Sequence, residues 1–197
     1  MDVPPETGLV VGPFLAVAAW LKDGGFSAPE VLGADPARGL VLLEDLGDDL
    51  FARLCGEAPE RAGHAQVGML DFQDMLVGHA AYDLMSLLED ARRDVTAEVR
   101  SAMLARYLER SGAEAEAFGR AAHVLAAQRN LKIMGLFTRL CRRDRKPRYL
   151  GYLPRVWRHL QQDLAHPELA ALRGFILRHV PAPEPVALAL ARIEAGA

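Results

Sequence analysis

The chain has 197 residues, with 23 Lys and Arg against 26 Asp and Glu; 51% of its residues are hydrophobic and 25% charged. That balance excludes a disordered chain and is enough for one domain, or a small pair, with a sizeable core. The longest uncharged stretch, Thr7–Leu21, contains 15 residues, includes Gly12-Pro13 and stops at Lys22, short of the roughly 20 needed for a membrane span.

Two further features bear on location. The start, MDVPPETG, places no basic residue ahead of its apolar run and so lacks the charged region of a secretory signal. Cys55 and Cys141 form neither a disulfide framework nor a metal-ligand spacing. A cytoplasmic protein with reduced thiols is therefore expected, with no membrane partner.

Pro13 followed by Phe14, Leu15, Val17, Ala18 and Leu21 predicts a helix ending at Gly24-Gly25. Pro29–Leu32 predicts a short strand, Asp35-Pro36 a turn, and Gly39–Glu44 a continuous apolar strand typical of a covered sheet. Asp48 or Asp49 is placed to cap a helix through Leu54. After a polar, aperiodic stretch from Gly56 to Gln66, Val67–Leu70 predicts a second apolar strand that ends in Asp71-Phe72-Gln73-Asp74.

From Ala80 onward the pattern is helical. Leu84, Leu87 and Leu88 mark one helix; Val95, Val99, Met103, Tyr107 and Leu108 mark the next. Glu114–Asn130 runs on into Leu131–Leu140 and breaks at Asp144–Pro147; Tyr149–Leu164 and Glu168–Val180 follow. Pro181, Pro183 and Pro185 close the pattern, and Ala187–Ala197 reads as a loose helical turn. The expected class is α+β and mostly helical, without internal repeats.

Charge is unevenly placed. Residues 1–60 hold three cationic residues against eleven carboxylates, whereas Arg139, Arg142, Arg143, Arg145, Lys146, Arg148, Arg155 and Arg158 face only Asp144. Such a basic run suits either an anionic partner or a solvated helix end. Phe137, Tyr149, Tyr152 and Trp157 interleave with it at spacings that packing also explains, so nucleic acid is the weaker expectation.

Asp71 and Asp74, just beyond a buried segment, are the residues best placed for a hard cation, since Mg²⁺ takes one or two carboxylates together with water and substrate phosphates. The plain alternative is an Asp-rich turn after a strand. Glu44-Asp45-Leu46-Gly47-Asp48 likewise reads as a strand exit and a helix cap.

Taken together, GLVLLEDLGD (39–48), LDFQD (70–74), YDLMSLL (82–88) and LKIMGLFTRLCRRDRKPRYLGYLPR (131–155) resemble the aminoglycoside phosphotransferase family of the protein-kinase-like fold. They most resemble its bacterial branch of N-acetylmuramate/N-acetylglucosamine anomeric kinases. The resemblance runs from about residue 1 to residue 180. It implies an ATP-dependent, Mg²⁺-using phosphotransferase acting on a small-molecule amino sugar. Glu44, Asp45 and Leu46 would form the hinge whose backbone meets adenine. Asp71 would be the metal-binding aspartate, Asp74 a supporting or second-metal carboxylate, and Asp83 a buried structural residue propping the catalytic loop.

The departures are equally specific. The family's catalytic loop, His-x-Asp with Asn four residues on, should precede LDFQD, yet only His64-Ala65-Gln66 stands there. No Gly-rich loop precedes Met1–Glu6, and Lys22 falls on a helix that carries no acidic partner for it. The chain thus resembles an incomplete kinase: residues 1–60 a remnant of the amino-terminal lobe and hinge, 61–180 a helical carboxyl-terminal lobe, 181–197 a Pro-rich tail. No catalytic base is assigned, and transfer by this chain is expected to be absent or weak, with nucleotide binding in doubt. Two alternatives stand beside it: a helical module using residues 139–158 for an anionic partner, and a remnant whose open sheet needs a partner or oligomer to cover it.

Overall fold

Pro13 lies in the first turn of α1 (Gly12–Asp23), where its missing N–H forfeits no hydrogen bond and its ring presets the helical φ. The helix buries Phe14, Ala18 and Leu21, four and three residues apart and hence on one face. The turn after it takes up the last carbonyls: Gly24 N–H donates to Trp20 O at 3.0 Å and Phe26 N–H to Leu21 O at 2.9 Å. The computed structural model describes residues 11–47, 57, 67–72 and 75–183. The expected helix after Asp48, residue Asp74 and the tail beyond 183 lie outside them.

The chain divides into two compact units, Met1–Val77 and Gly78–Ala197. In the first, β1 (Val31–Asp35) pairs antiparallel with β2 (Leu40–Leu43), with an irregularity between Val31 and Gly33. The connecting turn is closed by Asp35 Oδ1, which accepts from Arg38 N–H at 3.2 Å. Gly39 then takes a φ of 72°, a left-handed conformation that glycine adopts without a Cβ clash.

Three expectations for this unit are corrected. β1 starts after Pro29 rather than at it, consistent with a residue that cannot donate to a ladder. β2 is not covered on both faces: Val41 is buried, but Leu40 and Leu42 are 43% and 64% exposed. The sheet among the described residues has two strands, so one face packs on α1 and the other does not. Residues 67–70 form no strand. Met69 N–H donates to Ser27 O at 2.6 Å, an anchor at one point rather than a ladder. The core joins Val11, Phe14, Ala18, Leu21, Ala28, Val41 and Phe72.

The second unit is built on helices: α2 (Ala81–Leu88), α3 (Ala97–Ser111), α4 (Ala115–Asp144), α5 (Leu153–Asp163) and α6 (Ala170–His179). Short 3₁₀ turns cover Pro147–Tyr152 and Pro167–Leu169. Thr96 Oγ1 caps α3 by accepting from Val99 N–H at 3.3 Å. Glu114 caps α4, its carboxylate accepting from Glu116 and Ala117 N–H at 2.7 and 2.6 Å. The single helix expected over 149–164 is split, because Pro154 falls in the first turn of α5 and the preceding residues tighten into the 3₁₀ form.

The 30 residues of α4 form the axis of this unit. Phe118, Ala122 and Ala126 pack with Ala81, Met85 and Leu88 of α2; Ala127 packs with Leu160 of α5, with Leu164 just beyond it and with Ile176 of α6. Farther along, Phe137 packs with Val156 and Ala91. The alanines let neighbouring backbones approach closely, which favours a dense interior. Among the described residues no helix is long and apolar enough to cross a membrane.

Candidate functional site

The exit of β2 is fixed by reciprocal contacts across the hairpin. Glu44 N–H donates to Glu30 O at 2.8 Å, and Glu44 Oε2 accepts from Glu30 N–H at 3.0 Å. Lys22 Nζ lies 3.4 Å from Glu30 Oε1, so the lysine of α1 is engaged at this hairpin. Beyond Glu44, Asp45 Oδ1 accepts from Gly47 N–H at 2.8 Å, an Asx turn that stops the strand. The Glu44 side chain therefore serves the hairpin, and what residues 44–46 can offer a ligand is chiefly backbone.

Leu46 connects this exit to the segment at 67–72. A Cβ built at Gly68 would stand 2.6 Å from Leu46 Cδ1, so the two segments approach closely only because residue 68 lacks a side chain. Met69 is tied to Ser27 as described above, and Phe72 drops into the core. The Phe72 ring stacks on Phe14 with centroids 4.9 Å apart and planes 8° from parallel, a favourable aromatic contact.

Between these anchors Leu70 and Asp71 stay at the surface. Asp71 has a φ of 63°, a left-handed conformation uncommon outside glycine though tolerated by Asp. Backbone outliers of this sort persist where the surroundings over-determine them, and they cluster at ligand sites. Here the neighbouring residues are held on both sides, Gly68 against Leu46 and Phe72 against Phe14. The expected hinge residues Glu44, Asp45 and Leu46 and the expected metal ligand Asp71 thus lie in one unit, and Leu46 approaches Gly68, three residues before Asp71.

Among the described residues no group of three or more His, Cys, Asp or Glu could hold a metal ion. A closed protein cage is not what this arrangement offers. A carboxylate on a fixed turn suits an ion that keeps its water and arrives with a phosphate ligand, as Mg²⁺ does.

The structure places two other expected features differently. Asp83 is exposed, in the first turn of an eight-residue helix, where a buried residue on a long helix was expected. The helix turns Ala81, Met85 and Leu88 inward and leaves Asp83 outside that face. The basic stretch is partly structural. Arg155 meets Asp94 with two bonds of 2.8 and 2.6 Å and donates to Ala91 O at 2.8 Å. Arg158 reaches the same carboxylate at 3.4 Å, and Arg143 pairs with Asp144 at 2.6 Å. The hydrogen-bonded Arg155 holds the Asp94 carboxyl below the usual carboxylate range. Arg139, Arg142, Arg145, Lys146 and Arg148 are exposed.

Sequence reasoning missed a buried polar group in the helical unit, made by Glu89, Asn130 and Asp163. Its local signals were an acid directly after the apolar Leu87-Leu88 and an asparagine on the inward face of α4.

Residues 60–123 match the phosphotransferase enzyme family. The chain is 33% identical to an N-acetylmuramate/N-acetylglucosamine kinase of Caulobacter vibrioides, over 87% of this chain and 75% of that relative. It is 41% identical to a protein of the same name from Pseudomonas aeruginosa and 39% identical to one from Pseudomonas putida. Those two alignments take in 58% and 55% of this chain but only 36% and 34% of the relatives, so the chain spans about a third of each Pseudomonas protein in them. The Caulobacter alignment extends over 273 positions, more than the 197 residues present here.

Proposed function

The chain belongs to the phosphotransferase enzyme family, alongside the N-acetylmuramate/N-acetylglucosamine kinases, and we propose that it is an amino-sugar phosphotransferase homologue that keeps the nucleotide–metal side of the site. The observation that supports this most is the fixed turn at Asp71: Phe72 is stacked into the core, Gly68 is pressed under Leu46, and the carboxylate between them is left at the surface.

In this reading the backbone of residues 44–46 faces the base of ATP, and Asp71 is the carboxylate to which a nucleotide-bound Mg²⁺ attaches, with Asp74 beside it in sequence. The ion, when bound, offsets charge on the transferring phosphate. Asp83, exposed at the start of α2, is assigned a supporting role only. The sugar substrate is an N-acetylated amino sugar, on the strength of what the relatives are named for.

Transfer to a sugar hydroxyl also needs a group to accept the hydroxyl proton and a cation on the phosphates. The family's His-x-Asp pattern is not completed at His64-Ala65-Gln66, and Lys22 is engaged with Glu30. Each missing part forfeits several kcal/mol of transition-state stabilisation, on the order of a hundredfold or more in rate. The chain by itself is therefore a weak catalyst at best. The Caulobacter alignment supports this, since the relative has aligned positions with no counterpart here.

The test pairs binding with turnover. Mg²⁺-dependent ATP binding to the full chain, read by equilibrium dialysis, should fall about tenfold or more in Asp71→Asn, a replacement of the same size that tolerates the same φ. ADP release with N-acetylmuramate or N-acetylglucosamine should stay near the blank. Equal binding by the two proteins, or no Mg²⁺-dependent binding by the wild type, overturns the site; vigorous sugar-dependent turnover overturns the weak-catalyst claim.

A further inference from the structure

Glu89 directly follows α2 and is 1% exposed; Asp163 ends α5 and is fully buried. Between them stands Asn130 of α4, also fully buried, whose Nδ2 donates to Glu89 Oε2 at 2.8 Å and to Asp163 Oδ2 at 3.1 Å. One side-chain amide thus bridges carboxylates from two other helices. Both carboxylates are shut off from bulk solvent, and burying an ionised carboxylate without full compensation is strongly unfavourable.

The surrounding charges come from every element packed around this point. From α3, Arg100 Nη2 meets Glu89 Oε1 at 3.0 Å. From α4, His123 Nδ1 lies 3.4 Å from Asp163 Oδ1, while Arg129 turns to the carbonyls of Glu89 and Ser86 at 3.3 and 3.5 Å. From α5, His159 is held below the usual histidine range by desolvation and so favours its neutral form. Asp90, next in the chain, is matched by Arg92 and Arg93 at 3.1 and 3.4 Å. His166 lies against His123, ring centroids 5.1 Å apart. Arg100 is thus the one arginine on the two bridged carboxylates among the described contacts. Asn130 Oδ1 and Arg100 Nε are buried without a hydrogen-bond partner.

We propose that Glu89 is a proton-operated clasp: with a proton it lets Asn130 draw the ends of α2 and α5 together across α4, and without it the two buried carboxylates repel and loosen that junction. Desolvation, reinforced by the Asp163 carboxylate, lifts the Glu89 pKa from 4.5 to about 7 against the opposing pull of Asn130 and Arg100. The folded chain then holds a proton that the unfolded chain has released. The clasp's contribution to stability is complete below about pH 4.5, declines as pH rises, and is gone above about 7. The switch lies in the helical unit and is independent of the phosphotransferase reading.

Thermal unfolding of the full chain between pH 4.5 and 8, followed by circular dichroism, should give a melting temperature that falls toward neutral pH. Glu89→Gln, which imitates the protonated form, should flatten that fall and melt above the wild type at pH 8. The ¹³C carboxyl resonance of Glu89 in the wild type should titrate near pH 7, and Asp163→Asn should move its midpoint down. A Glu89 midpoint near 4.5 overturns the proposal, as does the same pH slope in wild type and Glu89→Gln. If the Gln variant does not fold, the wild-type resonance alone decides.

Discussion

The two units differ in what holds them. Among the described residues of Met1–Val77, helix α1 and a two-stranded hairpin share one core, and Trp20, Leu32, Leu42 and Leu70 stand 60% or more exposed. In Gly78–Ala197 three apolar clusters follow one another along α4. The expected nucleotide and metal residues Glu44, Asp45, Leu46 and Asp71 all belong to the thinner unit. Elements that receive a ligand are commonly drawn from the less stable end of a structure, where local rearrangement is easy. The thicker unit has the opposite problem: it buries so much that the carboxylates of Glu89 and Asp163 are trapped inside it.

The contrast is broken most severely at Phe72. Truncating a buried Phe removes about 3–5 kcal/mol, and a buried Leu about 2–5. The two figures overlap, yet their consequences should differ. Phe72→Ala deletes the partner of Phe14 from the core that α1 shares with Val41 of β2. Leu160→Ala opens a hole in a helical unit with further clusters on either side. Hydrogen exchange on Phe72→Ala should show lost protection at 11–47 and 67–72 with 81–179 still protected. Uniform loss throughout would mean that the units do not hold themselves up separately.

A milder perturbation separates stability from ligand binding inside the small unit. Gly68→Ala places a methyl 2.6 Å from Leu46 Cδ1, and Leu46, 38% exposed, has room to rotate away. Overpacking of this kind costs about 1–3 kcal/mol, with the lower end expected here. The displaced Leu46 belongs to the proposed hinge, so ATP affinity should fall more than the midpoint of urea unfolding suggests. Affinity and stability falling in proportion would remove Leu46 from the site.

Local chemistry made part of this legible. Pro13 and Gly24 bracket α1, Asp35 and Gly39 shape the hairpin turn, and periodicity locates the helices. What failed was tertiary. An apolar run such as Leu40–Leu43 looks the same whether one face or two are covered, and Val67–Leu70 looks the same with or without a ladder beside it. Periodicity placed Asp83 on a helix without saying which way it faces. The contacts of Asn130 span 41 and 33 residues, and no local pattern announces that a polar residue on a helix will meet two acids from other helices. The Asp71 turn was visible as a motif, but its flanking residues are held by Phe14 and Leu46, both distant in the chain.

The smallest effect tests whether the helical unit tolerates loss at its edge as well as its interior suggests. Thr96 Oγ1 satisfies the N–H of Val99, one of the donors left over at the start of α3. Removing a cap of this type destabilises by about 0.5–2 kcal/mol, and the 3.3 Å bond at an exposed position argues for about 0.5. Helix α3 has no fully buried residue and is held through partly buried Leu104, Tyr107 and Leu108, so fraying of its first turn need not spread to α4. Thr96→Ala should raise exchange at residues 97–100 while leaving α4 protected, and Thr96→Ser or Thr96→Asp should restore the first turn. Loss of protection along α4 would show that α3, though exposed on most of its surface, is part of what holds the axis in place.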